Sequence, residues 1–114
     1  MAPDLKALAA KYFEAWNTRD AENLAPLLAE NAVLMDWDVK VEGKAEVVKA
    51  NAGIFAAVPG IKIDVNAVGA DPEALKAYCE ISVVVGGDAG TLKVTDIISF
   101  SAEGLITCVD AYKQ

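Results

Sequence analysis

Apolar residues recur along this chain at two periods, and the change from one to the other comes near residue 60. Before it, Leu5, Leu8, Tyr12, Ala15 and Trp16 follow one another at three- and four-residue steps, the mark of an amphipathic helix. Asn17-Thr18-Arg19-Asp20 breaks that pattern. Asp20 is suited to cap a second helix by accepting backbone N–H bonds, with Glu22 adding favourable charge to its first turn. Pro26 would remove one of that helix's hydrogen bonds, which predicts a bend or a short segment. The run NAVLMDWDV, residues 31–39, alternates as a strand, with Leu34, Asp36 and Asp38 on one face and Val33, Met35 and Trp37 on the other. A brief extended piece, VEG, leads into a third helix from Lys44 to Ala57. Val47, Val48, Asn51, Ile54 and Phe55 mark its inner side, and Pro59-Gly60 stops it.

After residue 60 the period is two. IKIDVNAVGA alternates, Asp71-Pro72-Glu73 turns, and ALKAYCEISVVV is rich in β-branched residues. Gly86-Gly87-Asp88 reads as a hairpin turn, TLKVTDIISFS as a strand, Ala102-Glu103-Gly104 as a further turn, and LITCVDAYK as the last strand. No repeat, low-complexity tract or linker interrupts residues 1–114, so a single domain is expected. The fold class is α+β. Three N-terminal helices would pack on one face of a curved, mostly antiparallel sheet and enclose a hydrophobic pocket.

One position breaks the pattern. In LKVTDIISF, residues 92–100, the face that carries Leu92, Val94, Ile98 and Phe100 also carries Asp96. A carboxyl group there loses solvation, which disfavours its charged form, and the neutral form gains an O–H donor. The plainer reading is an aspartate that bonds backbone groups at a sheet edge or bulge.

Composition narrows the chemistry. The 114 residues are 54% hydrophobic and 24% charged, and no apolar run approaches the ~20 residues of a membrane helix. The segment MAPDLKALAAKYFEAW mixes acidic and basic residues with apolar ones, unlike a signal peptide, so a cytoplasmic location is expected. A net charge of −7 disfavours nucleic acid and anionic membranes as partners. Cys79 and Cys108 are far apart and read as free thiols, and with no histidine the chain offers no metal set. The lack of histidine also rules out a Ser-His-Asp triad, and no Gly-rich phosphate loop is present. If the protein does chemistry, carboxyl, phenol or thiol groups with shifted pKa values must do it, and the activity expected below needs no cofactor.

The stretch TLKVTDIISFSAEGLITCVDAYK resembles the C-terminal part of the bacterial Δ5-3-ketosteroid isomerases, within the nuclear-transport-factor-2-like (NTF2-like, SnoaL-like) superfamily. The shared features are a V-x-D strand core, a Phe four residues after the Asp, a Gly turn and a closing Ala-Tyr. KYFEAWNTRDAENLAPLLAENAVLMDW is similar to that family's first two helices and first strand without a gap, and Gly43 matches the glycine that opens the third helix. Only residues 60–80 align loosely.

The resemblance implies that Asp36 is the general base and that Tyr12 and a protonated Asp96 are the oxyanion-hole donors. It places Trp16, Trp37, Phe55, Val94, Ile98, Val109 and Lys113 around the substrate pocket. Ketosteroid isomerases are the known case of a neutral carboxyl serving as a hydrogen-bond donor. The implied activity moves a double bond of a small hydrophobic ketone into conjugation, and the implied assembly is a homodimer paired through the sheet, with Ile97, Val83 and Val85 on faces otherwise exposed. The chain departs from the family where Leu28 and Asn51 stand in place of supporting tyrosines, where Trp37 follows the base in place of proline, and where Lys113 replaces a pocket aromatic. Read without the resemblance, Tyr12 is a helix-core residue and Asp36 a solvated turn residue. A polyketide-cyclase-like enzyme and a non-catalytic domain that binds hydrophobic ligands or mediates assembly remain alternatives. An epoxide hydrolase would need an Asp-Arg-Asp set, and Arg19, the only arginine, belongs to an interhelical loop.

Overall fold

The computed structural model describes residues 3–114. Helix α1 runs from Leu5 to Trp16, its first turn closed by Asp4, whose carboxylate accepts the Ala7 N–H at 3.1 Å. Leu5, Ala9, Tyr12, Phe13 and Trp16 form its buried stripe. The helix end is fastened to the sheet by Asn17, whose side-chain amide exchanges two 2.8 Å hydrogen bonds with the backbone of Ile63. That clamp fixes the helix over the sheet and with it the direction of Tyr12.

The second helical segment, Ala21–Leu27, is a 3₁₀ helix with Pro26 inside it, capped by Asp20 through a 3.1 Å bond from the Glu22 N–H. Strand β1 then spans Leu28–Met35 and β2 spans Lys40–Glu42. The first strand therefore starts earlier than the alternation suggested and stops at Met35. Asp36, Trp37 and Asp38 belong to the turn into β2, because Asp36 folds back on its own backbone there. Helix α2, Lys44–Ala57, is opened by Gly43 at φ +96°, a conformation that costs other residues a steric clash. The Gly43 N–H donates to the Ala32 carbonyl at 2.7 Å, which ties the helix start to β1.

Strands β3 (Lys62–Asp71), β4 (Lys76–Gly86), β5 (Gly90–Phe100) and β6 (Ile106–Lys113) form the expected antiparallel meander. The β4–β5 connection is a short 3₁₀ turn, Gly87–Ala89, and Leu75 lies outside β4 with φ +56°. Among the described residues the sheet has six strands in the order β2-β1-β6-β5-β4-β3, and its one parallel pair joins β1 to β6. The architecture is thus α+β, with helical segments against a mostly antiparallel open sheet.

The pairing register decides which face each residue takes. Val83 pairs with Leu92, Ile81 with Val94, Cys79 with Asp96 and Ala77 with Ile98, so these residues share the face turned toward the helices. Val83 and Val85 therefore point inward, which corrects their expected place on an exposed face; Ile97 alone of that trio lies on the outer side. Among the described residues no helix is long and apolar enough to cross a membrane.

Candidate active site

Between α1, α2 and the inner face of the sheet lies a cavity of about 310 Å³. Its floor is laid by alternate residues of β5. Leu92 and Val94 line it, Asp96 follows, and then Ile98 and Phe100 close into solid core with almost no exposure. Asp96 therefore stands where the hollow ends and close packing begins. Val109 and Ala111 on β6 and Leu34 on β1 continue the wall on one side, with Ile81 on β4 on the other.

Tyr12 descends from α1 into the same hollow, its ring edge-on to Phe13 at 5.2 Å between centroids. The residue is 3% exposed and Asp96 is 5% exposed. Neither the Tyr12 hydroxyl nor the Asp96 carboxyl makes a protein hydrogen bond among the described residues, yet no buried side-chain oxygen or nitrogen among them lacks a partner. The small exposure that remains must then lie on these polar tips, which open into the cavity. Both groups are free to bind a ligand.

Electrostatics separates their tasks. Burial first, then the charges of Asp110 and Asp36, push the Asp96 carboxyl from 3.8 up to about 7. The phenol of Tyr12 is pushed well above its ordinary value by burial, then by Asp96 and Cys79. Cys79, the cross-strand neighbour of Asp96, is pushed up to about 12, chiefly by burial. Tyr12 and Cys79 therefore hold their protons at neutral pH, and Asp96 is the most acidic of the three.

Asp36 reaches the cavity by a different route. Its backbone N–H donates to the Val39 carbonyl, and its Oδ1 accepts the N–H groups of Asp38 and Val39, each at 2.8 Å. Both side-chain bonds fall on Oδ1, so the carboxylate is oriented through one oxygen while the other carries none of these bonds. The parallel pairing of Met35 with Asp110 brings this turn beside Ala111, which is itself the partner of Asp96. Asp36 and Asp96 are thus about two strand spacings apart, roughly 10 Å, on the same hollow.

The remaining pocket residues divide. Trp16 lines the wall, with its indole N–H donating to Asn51 Oδ1 at 2.9 Å; Asn51 is anchored in turn to the Val47 carbonyl, also at 2.9 Å. Val94 and Val109 line the cavity, and Trp37, 43% exposed, stands at its edge. Phe55 is packed behind Trp16, 4.8 Å between ring centroids, and Ile98 is fully enclosed below Asp96, so neither reaches the hollow. Lys113 is exposed, with its ammonium 5.0 Å from the Trp37 ring, and steadies that ring from outside the cavity wall. Sequence reasoning missed Asn51 and Val39 as lining residues. The helical stripe signalled Asn51, a polar residue on an inner face; nothing signalled Val39. Among the described residues no three His, Cys, Asp or Glu side chains gather as a metal site.

A family profile described as the SnoaL-like domain matches residues 9–109. No curated protein matches the sequence. Among solved structures, a protein of Kribbella flavida provisionally described as a ketosteroid isomerase superposes with a TM-score of 0.82 at 23% identity, over 99% of this chain and 79% of the other. A protein of Agrobacterium tumefaciens, provisionally described as an isomerase of the SnoaL-like family, gives 0.80 at 20% identity over 96% of both chains. A protein of Sinorhizobium meliloti, provisionally described as a polyketide cyclase, gives 0.82 at 17% identity over 92% of this chain and 93% of the other. At these identities the likeness establishes the fold.

Proposed function

The chain belongs to the SnoaL-like family, and from the chemistry of its cavity we propose that it is a cofactor-free isomerase, steroid-Δ-isomerase-like in mechanism. It would shift a carbon–carbon double bond of a hydrophobic ketone into conjugation. The observation that carries this reading is the pairing of two unspent, proton-bearing groups, Tyr12 and Asp96, in one apolar hollow with an oriented carboxylate at Asp36.

The substrate's ketone oxygen lies against the Tyr12 hydroxyl and the protonated Asp96 carboxyl. Asp36 removes a proton from the carbon between the carbonyl and the double bond. The electron pair of that C–H bond moves into the conjugated system, and negative charge collects on the oxygen as a dienolate. The two donors are already in place and need no reorganisation, so they favour this charged state over the neutral ketone. Asp96, the more acidic donor, makes the stronger bond to the oxygen. Asp36 then returns the same proton two carbons further along, which regenerates the carboxylate and releases the conjugated ketone.

The isomerase descriptions of two structural relatives agree with this reading, and the cyclase description of the third fits the same acid–base set acting on another carbonyl compound. The test is the absorbance of the conjugated enone formed from β,γ-unsaturated ketones. Asp36→Asn keeps the side chain's shape and is expected to lower kcat by about 10²- to 10⁴-fold, the usual contribution of a positioned base. A folded protein inactive on every enolisable ketone tried would leave the binding-domain reading in its place.

A further inference from the structure

The cavity also constrains what can enter it. Among the described residues its lining holds three carboxyl groups, from Asp36, Asp38 and Asp96, and no lysine or arginine. Lys113, beside the turn, is held over the Trp37 ring. The chain as a whole carries a charge of −7. An anionic ligand would shed its water to meet the Asp36 and Asp38 carboxylates, a cost that no basic side chain among the lining residues offsets.

Size is the second constraint. At about 310 Å³ the hollow stands at the small end of the ~300–1,000 Å³ typical of small-molecule sites. The outer end of that space is walled by Val83, Val85 and Leu92, which are only half-buried. A third or fourth ring would rest on this strip with its other side in water and would gain little from the contact.

We infer that the substrate is an uncharged ketone built on one or two rings, and that carboxylated, phosphorylated and coenzyme-thioester forms are excluded. This inference rests on the isomerase reading, which sets the ketone oxygen against Tyr12 and Asp96. The test is calorimetric titration of the wild-type protein at pH 7 with phenols that imitate the dienolate: phenol, 2-naphthol, a four-ring phenolic steroid and 6-hydroxy-2-naphthoic acid. The naphthol should bind about tenfold more tightly than phenol, and the steroid should improve on the naphthol by no more than about threefold. The hydroxynaphthoate should bind more than about threefold more weakly than the naphthol. A larger gain for the steroid, a smaller loss for the acid, or no binding of any phenol overturns the inference. The same titrations on Tyr12→Phe separate it from the reading beneath it. If the order of affinities holds while Tyr12→Phe leaves every affinity unchanged, the ligand class stands and the isomerase assignment falls.

Discussion

Replacing Asp96 with asparagine should stabilise this protein, and only at a pH where the native aspartate has to ionise. The side chain is 5% exposed, and burial together with Asp110 and Asp36 moves its pKa from 3.8 in the unfolded chain to about 7 in the folded one. The folded state therefore binds this proton more tightly, and between those two values folding takes up a proton. Its favourable contribution is complete below pH 3.8, is lost as the pH rises toward about 7, and changes no further above that. A shift of this size corresponds to up to about 4 kcal/mol, at about 1.4 kcal/mol per pKa unit. Asparagine has nearly the same shape and no charge at any pH, so it leaves packing alone and removes the pH-dependent part. Urea denaturation at intervals from pH 4 to pH 8 would measure it. The two proteins should differ by a small constant near pH 4, and Asp96→Asn should gain steadily up to about pH 7. With urea m-values of about 1–3 kcal/mol/M, the full effect moves the midpoint by roughly 1–4 M. A stability difference that stays flat across this range would show that Asp96 ionises as an ordinary aspartate, and the argument for a protonated donor would collapse.

Activity should follow the same group. Because Asp96 must be protonated to donate, kcat/KM should fall as the pH rises past about 7, and Asp110→Asn should carry that limb to lower pH by removing one of the charges that hold the proton on; a pH–rate profile of each variant decides this. Asn51→Leu should cost about 1–3 kcal/mol by leaving the buried Trp16 indole N–H without its acceptor, read as a lower urea midpoint. The expected homodimer would use the outer face of the sheet, where Tyr78 and Tyr112 are 42% and 56% exposed and Ile97 lies between the strands that carry them. Sedimentation should then give a dimer for the wild type and a monomer for Ile97→Lys.

Helix α1 and strand β5 were the most legible parts of the sequence, for the same reason. Each is a long segment with one buried face, so the spacing of Leu5, Tyr12 and Trp16, or of Val94, Asp96 and Ile98, states its period without help from the rest of the fold. The first strand was less so. Met35-Asp36-Trp37-Asp38 alternates as well as any strand, but the Asp36 side chain captures the N–H groups of Asp38 and Val39 and turns the chain instead. Local hydrogen bonding of this kind leaves no trace in a hydrophobic pattern. The faces of Val83 and Val85 were misplaced because alternation names two faces without saying which one the helices cover.

The sequence by itself determined that a carboxyl group interrupts an apolar strand face, that no histidine exists to move protons, and that helices precede a meander. Composition and period are local properties, and the chain carries them wherever it folds. Only the tertiary structure decided that Asp36, Tyr12 and Asp96 share one space. That depends on the parallel pairing of β1 with β6 and on the Asn17 clamp that sets α1 above the sheet. It also decided that the hollow stops at Asp96, because where a cavity ends depends on how facing side chains fill the gap between layers, and no single segment holds that information.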